Sequence, residues 1–138
     1  MMIRLMYASR GVNLGPMDIK DILASSRRNN QQLGVTGALC LSNGIFLQCL
    51  EGDRTVVNAL YHRILVDRRH KDTEILSYDE VVKRMFTGWS MGLISSSNEN
   101  TEMFLKYSPV AAFDPYSMTS SGLNEFFQES IASARLLT

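Results

Sequence analysis

Metal-binding side chains are scarce in this sequence. It has two cysteines and two histidines in 138 residues, and their spacing does not fit a zinc site. Cys40 and Cys49 sit inside apolar, strand-like runs, so they read as buried free thiols suited to a reducing cytoplasm. No stretch approaches the roughly 20 apolar residues that a membrane span needs. Met1–Arg10 is a short strand-like run rather than a signal peptide. An excess of one charge is missing too. Fourteen Lys and Arg balance fourteen Asp and Glu, and no basic stripe offers a nucleic-acid backbone its counterions. There is no Gly-x-Gly-x-x-Gly fingerprint, no internal repeat and no low-complexity tract. The length allows one core and a short appendage, not a second catalytic domain.

What is present is ordered and uneven. Residues 1–84 carry twelve basic and nine acidic side chains, and residues 85–138 carry two and five. The first part can receive an anion, and the acidic remainder reads as a separate appendage. Met2–Arg10 alternates as a strand does, with Ile3, Leu5 and Tyr7 on one face. Pro16 suits the first turn of a helix over Met17–Leu33. Val35–Leu41 and Ile45–Glu51 read as strands around a Ser42-Asn43-Gly44 hairpin turn. Gly52-Asp53 opens a second helix with its stripe at Val56, Val57, Leu60, Ile64 and Leu65, ended by Arg68–Asp72. Glu74–Lys83 and Trp89–Ile94 read as two more strands. The order βαββαβ plus a strand gives an α+β, ferredoxin-like fold. It is expected as a mixed five-stranded sheet with two helices on one face and C-terminal helices on the other. Its first two strands are expected side by side at the sheet centre. Ser95–Asn98 is a polar break, Glu99–Tyr107 reads as a short helix, and Leu123–Leu137 as an amphipathic one with Leu123, Phe126, Phe127, Ile131 and Ala134 on one side. Residues 1–95 thus form the main domain and 96–138 an extension that covers the sheet or joins subunits.

Three polar residues stand where a core belongs. At about 100° per residue, Asn30 falls in the middle of the first helix's apolar face, and Asn29 lies on its border. A buried amide left unpaired costs about 1–3 kcal/mol, so Asn30 needs either backbone partners, as in a helix cap, or a ligand. The third strand has Phe46, Gln48 and Leu50 on one face and Ile45, Leu47 and Cys49 on the other. Both faces are apolar, so the strand is central, and Gln48 must satisfy its amide inside the protein. Tyr7 is buried by the same logic, and an amide on a neighbouring strand suits its hydroxyl. Tyr7, Gln48 and Asn30 facing one slot fit either a satisfied polar core or a planar, polar-edged ligand between the helices.

These residues, in this order, resemble the BLUF domain, a blue-light sensor that uses flavin. The resemblance rests on Leu5-Met6-Tyr7-Ala8-Ser9, on Asn29-Asn30 four residues before Gly34-Val35-Thr36-Gly37, and on Phe46-Leu47-Gln48-Cys49-Leu50-Glu51-Gly52. It continues through Tyr61-His62-Arg63-Ile64, Asp67-Arg68-Arg69-His70 and Trp89-Ser90-Met91, spanning about residues 2–94. Leu105-Lys106-Tyr107-Ser108 and the following helix are similar to the tail of short, PixD-type members.

The resemblance implies roles. FAD, or else FMN or riboflavin, lies between the two helices. Asn30 meets the ring's C4=O and N3 edge and Asn29 the C2=O side. Ile22 and Ile64 pack on the ring faces, with Ser26 and Phe46 lining the site. Arg63, Asp67 and His70 lie towards the ribityl and phosphate end. Tyr7 is the light-driven electron donor, Gln48 the amide that rearranges, and Trp89 and Met91, sharing a face of the fifth strand, the relay. Such a protein is a cytoplasmic photoreceptor and not an enzyme. It forms a dimer or larger ring, presents the outer face of Leu123–Leu137, and signals to a separate protein. Three other readings compete: a non-photoactive ligand-binding regulatory module of the same fold, an acylphosphatase-like hydrolase using Arg10 and Asn13, and a flavin redox enzyme.

Overall fold

A computed structural model describes residues 1–94, 98–133 and 136–137. In chain order it has β1 (Met2–Gly11), α1 (Pro16–Leu33), β2 (Thr36–Ser42), β3 (Ile45–Asp53), α2 (Arg54–Leu65), β4 (His70–Glu80), β5 (Gly92–Ile94), α3 (Asn98–Leu105), α4 (Ser120–Ala132) and β6 (Leu136–Leu137), with a 3-10 turn at Pro115–Ser117. The strands form one mixed sheet in the order β4-β1-β3-β2-β5-β6. The ferredoxin-like arrangement is present, with two strand–helix–strand units interleaved.

The interleaving corrects one expectation. β1 and β2 are not neighbours, because β3 lies between them and pairs antiparallel with both. The tight β2–β3 hairpin forces this. Asn43 and Gly44 both have positive φ, 52° and 74°, the turn geometry that matches strand twist, so β3 folds straight back on β2 and takes the central place. Gly37 on β2 is required for a different reason: a Cβ there would lie 1.9 Å from the Cys49 carbonyl oxygen.

β3 is buried on both faces, as its two apolar faces predict. On one side Ile3, Leu5, Tyr7, Leu39, Phe46 and Leu50 pack against α1 and α2 through Leu23, Val57 and Leu60. On the other, Met6, Cys40, Leu47 and Cys49 meet Phe104, Leu123, Phe126 and Phe127 of α3 and α4. The C-terminal helices therefore cover the second face.

Several boundaries differ from the sequence reading. Asp67-Arg68-Arg69 turns the chain, and His70–Asp72 already belong to β4. The last helix stops at Ala132, and Leu136–Leu137 form a sixth strand antiparallel to β5. The exposed residues of α4 are the polar Ser120, Ser121, Glu125 and Gln128 and, at its end, Ala132. Ser95 and Ala134, expected in a polar break and on an apolar face, lie outside the described residues.

The largest difference concerns Trp89 and Met91. The fifth strand begins only at Gly92, and residues 81–91 run irregularly. The two side chains therefore do not share a face. Trp89 packs with the α3/α4 core, its ring 6.5 Å from Phe86. Met91, 1 % exposed, enters the opposite core.

Candidate functional site

A cleft of about 230 Å³ opens between α1 and α2 over the sheet. Its floor comes from β1 and β3. In the antiparallel register Tyr7 stands directly opposite Gln48, and the Tyr7 hydroxyl donates to Gln48 Oε1. Tyr7 is 5 % exposed. Burial raises its phenol well above the ordinary tyrosine value, with the neighbouring Tyr61 and Asp67 adding to the effect, so it keeps its proton. Its ring also packs at 5.6 Å on Tyr61.

Gln48 is under-satisfied. Its oxygen has Tyr7, but among the described residues its two N–H donors meet only the Met91 sulfur, 3.6 Å from Nε2, and a thioether is a weak acceptor. Gln48 is also buried. A buried amide donor without a good acceptor costs about 1–3 kcal/mol, and the cleft beside it is where an acceptor would come from.

Asn30 is 2 % exposed. Its side chain settles the question of partners in an unexpected way: Nδ2 donates to the Ser90 carbonyl, 2.8 Å away. The helix end is closed instead by the Asn30 backbone carbonyl, which accepts from Gly34 and Val35. Among the described residues the amide's oxygen and second proton make no further bond, and both can meet a ligand edge.

The walls are mostly those the sequence picks out. Ile22, Ser26 and Asn29 from α1, Phe46 from β3, and Arg63 and Ile64 from α2 line the cleft together with Asp67 and His70. Asn29 and Arg63 are exposed at its rim. Trp89 and Met91 are not among the lining residues. Ser25, Leu39, Leu50, Leu60 and Arg69 also line the cleft, and sequence reasoning missed them. Leu50 is two residues from Gln48 on the same face of β3, Leu60 is one turn before Ile64, and Ser25 is one turn before Asn29. Periodicity alone could have found them.

The mouth holds a charged pair. Arg69 Nη2 lies 2.6 Å from Asp67 Oδ2, and Arg69 Nε lies within 3.1 Å of both carboxylate oxygens. The Arg69 bonds hold the Asp67 carboxyl below its ordinary value. His70 is fully engaged. Its Nε2–H donates to the Ile64 carbonyl at 2.6 Å, since a carbonyl can only accept, and Nδ1 accepts from Ser9 Oγ at 2.8 Å. It thereby ties the end of α2 to β1 and has no ring nitrogen left for a phosphate. No group of three metal-ligating side chains occurs among the described residues. No helix among them is long and apolar enough to cross a membrane.

The donor set fits a flavin. The ring edge carries carbonyl oxygens that can accept from the Gln48 and Asn30 amides, and an N3–H that can donate to the Asn30 oxygen. A pocket of a few hundred Å³ with apolar walls and a few placed polar groups is typical for such a ligand.

Comparisons with known proteins agree. The family profile described as "BLUF: Sensors of blue-light using FAD" matches residues 2–92. The ground-state structure of BlsA is 30 % identical, superposes with a TM-score of 0.87, and covers 100 % of this chain and 92 % of its own. The dark-state structure of the BLUF protein BlrB is 26 % identical with a TM-score of 0.77, covering 96 % of each chain. The photoactivated adenylate cyclase subunit beta of Euglena gracilis is 32 % identical over 108 residues, 77 % of this chain and 12 % of the relative. The chain thus spans about an eighth of the length of the curated relatives it matches. Fold and family profile place it among the domains described as sensors of blue light using FAD. It belongs to the BLUF family.

Proposed function

We propose that this chain is a photoreceptor in which light rearranges the Tyr7–Gln48 hydrogen bond, and that it acts by association rather than by a reaction of its own. The observation that carries this reading is the Gln48 amide, buried with an oxygen satisfied by Tyr7 and donors satisfied only by sulfur.

A bound flavin supplies the blue absorption and, once excited, a one-electron oxidant. Tyr7 holds the proton and the electron that the step needs. When Tyr7 is oxidised, its phenolic proton becomes strongly acidic and passes along the existing bond to Gln48 Oε1. When the electron returns to Tyr7, Gln48 gives the proton back to the phenolic oxygen, so neither residue has gained or lost a proton and no net redox change remains. Gln48 is left with its amide oxygen and nitrogen in a changed arrangement. Only a side chain with both donor and acceptor ends can make two different networks in one place. The changed amide makes a different bond to the ring edge, which shifts the absorption to the red. Met91 senses the change through its contact with the same amide. Trp89, two residues away, carries it to the opposite face.

Asn30 and Asn29 hold the polar ring edge, Ile22 and Ile64 the ring faces, and Ser26 and Phe46 the remaining wall. Arg63 at the mouth favours a flavin with a phosphate, FAD or FMN, over riboflavin, and we favour FAD. Residues 1–95 form the photosensory unit. Residues 96–138 are the extension, whose described part holds α3, α4 and β6, and it presents a surface to a second copy or to a separate signalling protein. The related Klebsiella pneumoniae BlrP1 has been solved with FMN, so the flavin released by acid from the purified protein decides that point by chromatography. Blue light should produce a small, reversible red shift. A colourless protein would leave the non-photoactive regulatory module as the better reading.

A further inference from the structure

Glu51 is the most deeply buried charge among the described residues, 0 % exposed, and the photochemical reading makes no use of it. It stands on β3 on the face opposite Gln48. Its carboxylate accepts from Arg4 Nε at 2.8 Å, Thr36 Oγ1 at 3.2 Å, the Met85 N–H at 2.7 Å and the Phe86 N–H at 2.9 Å. Arg84 completes the cluster. Its two Nη atoms donate to Thr36 Oγ1 at 2.9 Å, to the Glu51 carbonyl at 3.3 Å and to the Gly34 carbonyl at 2.8 Å. Three strands are thus tied to the start of the irregular run that ends in Met91.

The far end of that run is tied separately. The Trp89 carbonyl accepts from the Gly37 N–H at 3.1 Å, the Ser90 carbonyl from Asn30 at 2.8 Å and the Met91 carbonyl from Arg27 Nε at 3.0 Å. Between the two ties lie only Thr87 and Gly88. A segment pinned at both ends has few arrangements, and where the first pin sits decides where Trp89 and Met91 go. Phe86, held through its own N–H, packs edge-on at 5.6 Å against Phe127 of α4.

We propose that Glu51 is a positioning residue for the switch. Its carboxylate fixes the 84–91 segment so that Met91 meets Gln48 on one face of the sheet while Trp89 and Phe86 stay against α4 on the other. Charge-assisted bonds to two successive backbone N–H groups set this register, and a neutral amide cannot replace them because it has one acceptor oxygen rather than two. The proposal rests on the reading of Gln48 and Met91 as the switching pair.

Trp89 is the single tryptophan of the chain, so its indole N–H gives one NMR resonance that reports the segment directly. In the flavin-loaded protein kept dark, Glu51→Gln should move or split that resonance. The light-induced shift should still form, because Tyr7 and Gln48 are untouched. Dark recovery should be about tenfold faster, as the loss of one charge-assisted bond implies. A Glu51→Gln protein that binds flavin and keeps both the indole resonance and the recovery rate of the parent would overturn the proposal. If Glu51→Gln does not fold, Arg84→Met tests the same pin while leaving the Arg4–Glu51 pair in place. It should displace the indole resonance by a smaller amount, and an unmoved resonance would again overturn the proposal. Should the parent protein show no light-induced shift, the photochemical reading fails by itself, while the dark indole resonance still tests what Glu51 holds.

Discussion

The two faces of the sheet solve the same packing problem in opposite ways. β3 contributes alternate residues to both, Ile45, Leu47 and Cys49 to one and Phe46, Gln48 and Leu50 to the other. The α3/α4 face is closed by aromatic rings. Phe104, Phe113, Phe126 and Phe127 pack with centroids 4.2 to 5.4 Å apart, and a cavity beside the first three is about 10 Å³. The α1/α2 face keeps a cleft more than twenty times larger, with Tyr7, Gln48 and Asn30 on its inner surface. One face has the closeness of packing that gives stability. The other keeps a donor short of an acceptor, which is the state a ligand can complete and light can rearrange. The proposed function uses the face that is less well packed, and the closed face supports it.

This contrast is broken most sharply at Tyr7. Tyr7→Phe removes the proton and the favourable electron donor while keeping the ring, so flavin should remain bound and the reversible red shift should vanish. Difference spectra before and after blue light check this, and a normal photocycle in the variant would defeat the donor assignment.

The closed face should answer to truncation in the other way. Phe127→Ala removes a fully buried ring in contact with Phe86 and Phe126. It should cost about 3–5 kcal/mol in urea unfolding, while the folded fraction keeps a light-induced shift of ordinary size.

A smaller effect sharpens the comparison through pH. Burial pushes the Cys40 thiol up from 9.0 to about 12. The folded chain therefore keeps a proton that the unfolded chain gives up. The contribution to stability is whole below pH 9 and is lost as the pH rises from there towards 12. Urea midpoints should fall over this range, and Cys40→Ala should flatten part of the fall. The Tyr7 phenol is raised as well, so the size of the light-induced shift should stay constant through pH 10, where an exposed tyrosine ionises.

Much of this was legible from residues, and the exceptions share a cause. The parity of β3, most of the stripe of α2 and the inward place of Asn30 follow from local periodicity, whereas Leu65, expected in that stripe, is 43 % exposed and Tyr61 is buried in its stead. Trp89 and Met91 do not follow it, because the rule that residues i and i+2 share a face holds only inside a strand. Their segment is shaped by Glu51 and Phe86, 35 positions apart, and by Arg27 and Met91, 64 apart, which no local pattern reveals. The Asn30 side chain is a similar case. Its place on the helix was readable, whereas its partner, the Ser90 carbonyl, depends on where that same irregular segment runs. Arg69 stands in a motif that is visible in the sequence. Its pairing with Asp67 at the mouth of the cleft needs the turn between α2 and β4, which local patterning reads as the end of a helix.

The central claim is that one amide, Gln48, is both the gap in the cleft and the switch. The most direct test is the light-minus-dark absorption spectrum of flavin-loaded Gln48→Leu beside that of the parent protein. Leucine keeps the volume and removes every hydrogen bond, so the parent should show a small red shift that reverses in the dark and the variant should show none. A variant that binds flavin and still shifts and recovers like the parent would contradict the account.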